Sequence, residues 1–309
     1  MRRAHVPAAL TAALLVGTAA AFVYTESLKL EPAPLRKVRV TRLFSPVCKC
    51  ETSKARIAFD VRTGDVVSVS LEDAGGNEVR RLAARPVRAG PVAFLWNGRD
   101  AEGNVVPDGT YHPRVRLDLL EKEIELQNEI RVDTIPPRVS VASAAPRVIS
   151  PDGDGRAERV AVVYVADEAA QAVLRVGGIR RVLGKGFRRR GQLEWFGRVD
   201  GRPVRAGTYS LTVVATDLAG NRSSPATGGV VRVRYVELVP DAYRTRPGAV
   251  LRVAVLTDAR RVAWRLAGRT GTARPPVLRL RAPVDPGEYR LFVTANGHGA
   301  AARVVVESG

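Results

Sequence analysis

Cysteine, histidine and lysine are scarce in this chain of 309 residues. There are two cysteines, Cys48 and Cys50, and three histidines, His5, His112 and His298. Two thiols are too few to close a zinc site. The histidines fall in the N-terminal apolar segment, on the outward face of an expected strand and near a C-terminal turn. No nucleophile elbow, zinc-ligand pair or phosphate-cradling glycine loop is present. We therefore expect no catalysis and no required cofactor. Aromatics make up only 6% of the residues while Gly (28) and Pro (20) are plentiful, which suits a turn-rich all-β chain.

Acidic residues are also outnumbered, leaving a formal net charge of +18. Such a surplus invites nucleic acid or another anionic polymer. Yet only six of the 49 basic residues are Lys, and the arginines alternate along expected strands (Arg232 and Arg234; Arg279 and Arg281). They do not cluster with aromatics. Solvated strand faces explain this better, and nucleic acid is disfavoured. One cluster stands apart: Arg180, Arg181, Lys185, Arg188, Arg189 and Arg190, around an expected glycine-bearing hairpin tip. A solvated hairpin accounts for it, and an anionic wall polymer is the alternative partner.

Met1-Arg2-Arg3 opens a basic segment, and Ala8 to Tyr24 is an uncharged run of 17 residues. As a helix it would span about 25 Å, slightly short of a hydrocarbon core of about 30 Å. Ala19-Ala20-Ala21 offers a small-residue cleavage site, so residues 1–25 read as a signal peptide or a single-pass membrane anchor. The apolar run continues through Phe22, Val23 and Tyr24, which favours the anchor. The Arg pair keeps the N-terminus cytoplasmic in either case, so the rest is expected outside, membrane-anchored or secreted. No Cys stands in lipobox position. Residues 26–35, with Pro32 and Pro34, read as a short stalk.

The organising feature beyond it is a repeat. Trp96-Asn97-Gly98-Arg99-Asp100-Ala101-Glu102-Gly103 leads into Pro107-Asp108-Gly109-Thr110-Tyr111, and the pattern returns as Trp195, Gly197, Asp200, Gly201, Gly207 and Tyr209. One copy per ~100 residues matches a small β-sandwich. Gly98, Gly103 and Gly109 suit positions of positive φ. Alternation follows, with Tyr111, Pro113, Val115, Leu117 and Leu119 on one face, which marks a half-buried antiparallel strand. The second loop has Asp200 directly before Gly201, so it must be tighter. Asp100 and Asp200 are explained as loop caps. Earlier strands are expected at 56–61, 66–71 and 78–82, and residues 123–132 are expected to pair back on the Tyr111 strand. Asp133-Thr134-Ile135-Pro136-Pro137 is a stiff boundary, since paired prolines cannot donate to a ladder. The expected domains are 36–134, 135–236 and a smaller β-sandwich at 237–309. Pro286-Gly287-Glu288-Tyr289 in the last echoes the repeat without its Trp loop.

These motifs resemble the immunoglobulin-like domain of flagellar hook-capping (FlgD-type) proteins, whose signature runs Trp-x-Gly-x-Asp-x-x-Gly and then Pro-x-Gly-x-Tyr. Asp133-Thr134-x-Pro-Pro and Asp217-Leu218-Ala219-Gly220-Asn221 likewise resemble elements of bacterial immunoglobulin-like domains. The resemblance covers roughly residues 35 to 235 and implies tandem immunoglobulin-like β-sandwiches, a structural or interaction module with no activity of its own. It does not imply hook capping. The expected function is a non-catalytic protein of the cell envelope contacting an envelope protein or an anionic wall polymer. Alternatives are an accessory carbohydrate- or wall-binding subunit of a separate enzyme, for which Trp264 and Phe196 are the aromatics available, or a flagellar or secretion assembly factor.

Ser45-Pro46-Val47-Cys48-Lys49-Cys50 lines up with Ser150-Pro151-Asp152-Gly153-Asp154-Gly155. Carboxylates two apart with Gly between can converge on Ca²⁺, with Glu158 as the extra ligand near Asp152 and Asp154. The sequence also resembles the opening of gliding-associated C-terminal domains. An Asp-Gly turn without a metal is the simpler reading. For Cys48 and Cys50 an intramolecular disulfide pinning the loop is favoured, short and hence easily reduced. Intermolecular pairing is the alternative.

Overall fold

Alternation of apolar and polar residues passes directly into strands, and the strands fall around three separate cores. The computed structural model describes residues 5–29 and 32–308. The basic Met1-Arg2-Arg3 segment and Leu30 and Glu31 of the expected stalk lie outside them. The helix α1, His5–Lys29, exposes every side chain described in it. No helix among the described residues is long and apolar enough to cross a membrane.

The chain divides into two compact units, at Asp133 and Thr134. The first contains β1 Leu35–Val40, β2 Leu43–Phe44, β3 Ala55–Val61, β4 Asp65–Glu72, β5 Glu78–Val87, β6 Gly90–Trp96, β7 Gly109–Leu117, β8 Lys122–Glu125 and β9 Ile130–Val132. One sheet has the order β1-β3-β6 and the other β2-β9-β7-β4-β5, with β8 on β7. Ile57, Phe59, Val69, Leu71, Trp96, Val115 and Leu117 alternate inward from both sheets and fill the core, as expected where two antiparallel sheets each bury one face. The return of residues 123–132 onto β7 is split, with β8 pairing at its end and β9 at its start. Leu119 leaves the buried face, 72% exposed, because β7 stops at Leu117 and the chain turns.

That turn is held by a residue the sequence does not advertise. Asp65 is 3% exposed. Its carboxylate accepts hydrogen bonds from Leu119 N (2.8 Å), Leu120 N (3.3 Å) and Val66 N (2.7 Å). Replacing it strands partly buried amide donors. We expect Asp65→Ala to cost the first unit about 2–4 kcal/mol, measured by chemical denaturation, with Asp65→Asn intermediate. A loss below about 0.5 kcal/mol, the range of an ordinary surface change, would show that the turn does not depend on it.

The second unit holds two more cores. Its first part contains β10 Val139–Ala145, β11 Val148–Ile149, β12 Val160–Val176, β13 Ile179–Leu183, β14 Arg188–Trp195, β15 Arg198–Val199, β16 Arg202–Pro203, β17 Gly207–Thr216 and β18 Ala226–Val233. Its second part contains β19 Glu237–Val239, β20 Ala242–Thr245, β21 Val250–Leu256, β22 Val262–Leu266, β23 Arg269–Ala273, β24 Val277–Arg281, β25 Gly287–Ala295 and β26 His298–Val306. The last sandwich has the sheet orders β19-β21-β24 and β20-β26-β25-β22-β23, the same connectivity as the first. The middle one follows it too, once its longest strand is divided. β12 pairs with β10 and β14 through Val160–Ala166, with one further β14 pair at Ala170, and with β17 and β13 through Gln171–Val176. Its two halves thus do the work of β3 and β4 in the first sandwich. Each sandwich also has one parallel pair, β2 with β9, β11 with β18 and β20 with β26. The fold is all-β, built of tandem immunoglobulin-like sandwiches.

The basic cluster does not sit on a single hairpin. Gly177 and Gly178 turn β12 into β13, and residues 184–187 then carry the chain across to β14.

Candidate functional site

The repeated motif residues are spent on holding their own loops. Trp96 is fully buried and its Nε1 donates to Arg99 O at 3.0 Å, and Trp195 does the same to Arg198 O at 3.3 Å. Tyr111 meets the Trp96 ring edge-on at 5.2 Å, and Tyr209 meets Trp195 at 5.6 Å. The tyrosine hydroxyl donates to the carbonyl four residues back in all three sandwiches: Tyr111 to Pro107 (2.7 Å), Tyr209 to Arg205 (2.8 Å) and Tyr289 to Asp285 (2.9 Å). The third echo of the repeat is therefore structural as well as sequential.

Asp100 closes its loop as a cap, its Oδ1 accepting from Asn104 N at 2.7 Å. The same Asp-x-x-Gly-Asn clamp recurs at Asp73/Asn77 and Asp217/Asn221, a three-fold recurrence that the sequence contained but reading it for the Trp motif missed. The amide side chain of Asn77, first among its hydrogen bonds, holds the Asp73 carboxyl below its ordinary value. Asp200 is not a cap. At φ +49°, with Gly201 at +76°, it forms the two-residue turn between β15 and β16, the geometry of a hairpin with both central residues left-handed. Gly98 (φ +68°) and Gly103 (φ +91°) take positive φ, whereas Gly109 opens a strand and does not.

The two Ser-Pro segments occupy equivalent places. Phe44, Ser45, Ile149 and Ser150 are buried, Pro46 packs on Gly98 and Pro151 packs on Gly197. Cys48 and Cys50 are joined by a disulfide in the first loop. In the second, Asp152 Oδ1 accepts from Asp154 N, Asp154 Oδ1 from Arg156 N and Glu158 Oε1 from Gly155 N (3.0 Å).

Glu158 is thus occupied with closing its loop, and the third carboxylate beside Asp152 and Asp154 is Asp258, from the turn between β21 and β22. One oxygen of each of the three lies within 4.8 Å of the others. Asn296 Nδ2 donates to Asp152 Oδ2 (3.1 Å) and Asp154 Oδ2 (3.4 Å), and Arg156 Nη1 to Asp258 O (3.1 Å). Both Asp258 carboxylate oxygens are buried without a hydrogen bond of normal geometry. Burial, and then repulsion from Asp152 and Asp154, push its carboxyl above the ordinary value, while the nearby Ser150 hydroxyl, which donates to Asp152, partly offsets this. Three such carboxylates could hold a hard divalent cation such as Ca²⁺, which asks for about 6–8 oxygens. Protonation of Asp258 relieves the same repulsion. Beside them opens a cleft of about 730 Å³ lined by Arg156, Arg260, Arg261, Arg274, Pro275 and Pro276.

The same junction stacks Tyr235 on His298, ring centroids 3.7 Å apart and 5° from parallel. The Tyr235 hydroxyl donates to Val204 O at 2.6 Å. Burial above all, with Tyr209, Asp152 and Glu158 adding and Arg198 opposing, pushes its pKa up to about 12. The folded value lies above the unfolded one, so the neutral phenol's contribution is complete below about pH 10 and is lost as pH rises through about 12. Tyr235 is therefore expected to be the last tyrosine to ionise in an ultraviolet pH titration. Tyr235→Phe should remove that late step, and its persistence in the variant would assign it to another tyrosine.

His112 lies on β7, opposite Glu72 across the β4–β7 ladder. Trp264 is half-buried, its ring lying over Gly271 on the neighbouring strand, where an added Cβ would come within 2.8 Å of it. It is no free platform, although a groove of about 580 Å³ runs past it, Arg265 and Phe292. Phe196 is exposed, with the Arg159 guanidinium 5.6 Å from its ring centre.

The family model of the FlgD Ig-like domain matches residues 47–118. The basal-body rod modification protein FlgD of Salmonella typhimurium is 38% identical over 48 residues, covering 16% of this chain and 21% of that protein's length. The chain thus spans about a fifth of the curated relatives it matches. Among solved structures, the fibronectin(III)-like modules of Clostridium thermocellum CbhA are 15% identical at a TM-score of 0.34, covering 63% of this chain and 92% of theirs. The titin I9–I11 tandem is 11% identical at 0.33 (89% and 100%), and FlgD from P. aeruginosa 21% identical at 0.24 (37% and 84%). At these scores they add nothing to the architecture already described. Residues 47–118 are thus similar to the FlgD immunoglobulin-like domain, and the chain that carries them is an all-β protein of tandem immunoglobulin-like sandwiches.

Proposed function

We propose that this is a non-catalytic interaction or spacer protein of the extracytoplasmic cell envelope, presenting immunoglobulin-like modules to an envelope protein or anionic polymer. The observation that carries the reading is the use of the motif residues: the Trp, Tyr and Asp side chains of the repeats bond their own loop backbones. They are scaffold, and function in such a fold lies in surfaces mounted on it. The apolar run Ala8–Tyr24, following a basic start, supports export, and a disulfide between the only two cysteines suits an oxidising compartment.

Protease added to intact spheroplasts tests this. Digestion of residues beyond 35 without lysis is expected, with a cytoplasmic marker untouched. Protection until the membrane is broken would overturn the extracytoplasmic placement. The accessory carbohydrate-binding reading is favoured by one observation, the groove past Trp264 and Phe292. Retention on an insoluble wall glycan that Phe292→Ala abolishes would replace our reading with that one.

A further inference from the structure

We propose that β13 and the segment leading into β14 form a docking element for an anionic phospholipid surface. Docking of this kind rests on the envelope placement above for its setting, though not for its physical basis.

Between Gly177 and Leu193 there are six cations and no carboxylate. Arg180, Lys185, Arg188, Arg189 and Arg190 are exposed, and none of the six cations forms a salt bridge among the described residues. Four carboxylates elsewhere in the unit are paired with other arginines, in Arg159–Glu194, Arg232–Glu237, Arg244–Glu307 and Arg303–Glu288. Cations on an edge strand have an ordinary explanation, because β13 ends a sheet and charge there discourages pairing with another chain. That explanation fails for the apolar residues of the same segment. Ile179 is 56% exposed, Leu183 45% and Phe187 44%, and a strand edge protected by charge gains nothing from presenting them.

Cations interleaved with exposed apolar side chains fit an interface that supplies both phosphate and acyl chain. A soluble polyanion would answer only the charges. The backbone presents the segment firmly. Gly184 is buried, its N–H donating to Ala172 O at 2.7 Å, and a Cβ there would come within 2.9 Å of that oxygen. Lys185, Gly186 (φ +65°) and Phe187 project beyond this fixed base. Behind them a groove of about 430 Å³ is lined by Lys185, Arg188, Arg190 and Tyr164. Its one carboxylate, Glu194, is taken up by Arg159 and Gln192, so the groove can accept a lipid phosphate.

The test is flotation of the full-length protein with vesicles of phosphatidylcholine alone and of phosphatidylcholine mixed with phosphatidylglycerol. The apolar helix α1 contributes equally to both, so the increment on adding phosphatidylglycerol reads the docking element. Replacing Arg188, Arg189 and Arg190 together with Ser should weaken binding to the mixed vesicles by roughly a hundredfold, at about 1 kcal/mol per charge, with the thermal midpoint unchanged. Phe187→Ser should weaken it by about tenfold. Phe187→Trp should show a blue-shifted emission on the mixed vesicles and quenching by brominated acyl chains. Equal flotation with both vesicle types would overturn the proposal. So would an anionic increment that Phe187→Ser leaves intact and inorganic polyphosphate displaces, since that describes a soluble-polyanion site. Because the readout is purified lipid, its failure leaves the spheroplast result standing, and the reverse.

Discussion

Gly98→Ala is expected to destabilise the first unit by about 2–5 kcal/mol and to lower its thermal midpoint by roughly ten degrees or more. Two costs combine. Gly98 sits at φ +68°, where any side chain is strained, and a Cβ built on it would lie 2.6 Å from Pro46 Cβ and 3.1 Å from Phe44 Cζ. Phe44 is fully buried in the core and Pro46 is a closed ring, so neither can swing aside. Gly197→Ala repeats the case in the second unit, at φ +59° with Pro151 Cγ 2.5 Å away. Two other glycines of the first motif separate the contributions. Gly103, at φ +91° with nothing within 4 Å, should lose only the backbone term, about 1 kcal/mol. Gly109, open and not left-handed, should tolerate Ala within about 0.5 kcal/mol. The ranking Gly98, Gly103, Gly109 is read by denaturant melts of the three variants. Equal losses at Gly98 and Gly103 would mean that contact with Pro46 contributes nothing.

Trp96→Ala should cost about 3–5 kcal/mol, enough to leave many domains of this size unfolded. The ring is fully buried, with Phe44 5.6 Å away on one side and Tyr111 5.2 Å away on another. Removing it opens a cavity between the sheets and also strands Arg99 O. Trp96→Phe keeps most of the apolar contact and loses the indole donor, so a smaller loss of about 1–2 kcal/mol is expected. The fluorescence of Trp195 and Trp264, both in the second unit, should keep its own transition in either variant. A concerted loss of both transitions would show instead that the units fold together.

Much of the scaffold was legible because its ties are short in sequence. The Trp indole reaches a carbonyl three residues on, the Tyr hydroxyl one four residues back, and each Asp clamp an amide four residues on. Such contacts repeat whenever the local pattern repeats, so two copies of the Trp loop predicted two sandwiches and the Gly-x-Tyr echo a third. The acidic cluster was legible only by half. Asp152 and Asp154 are neighbours in the chain, but Asp258 joins them from about a hundred residues away, and Glu158, the near candidate, is drawn off by Gly155 N. No local pattern marks Asp258, since its proximity follows from how the second and third sandwiches pack within one unit.

The type of unit and the inward set of residues follow from local chemistry alone: period-two alternation sets which side chains face a core, and glycine or aspartate chemistry sets where the chain can turn. The long-range choices arise only once distant strands pack together. That packing placed the Asp65 carboxylate under amides more than fifty residues away. It let β12 run unbroken through both sheets of one sandwich, where its counterparts are divided. It laid the Trp264 ring over Gly271, so that the pair buries what either residue alone would expose. Each of these depends on the register between distant strands. A register shift of one residue would send every side chain to the other face, so it is the shared core, rather than any local preference, that selects among them.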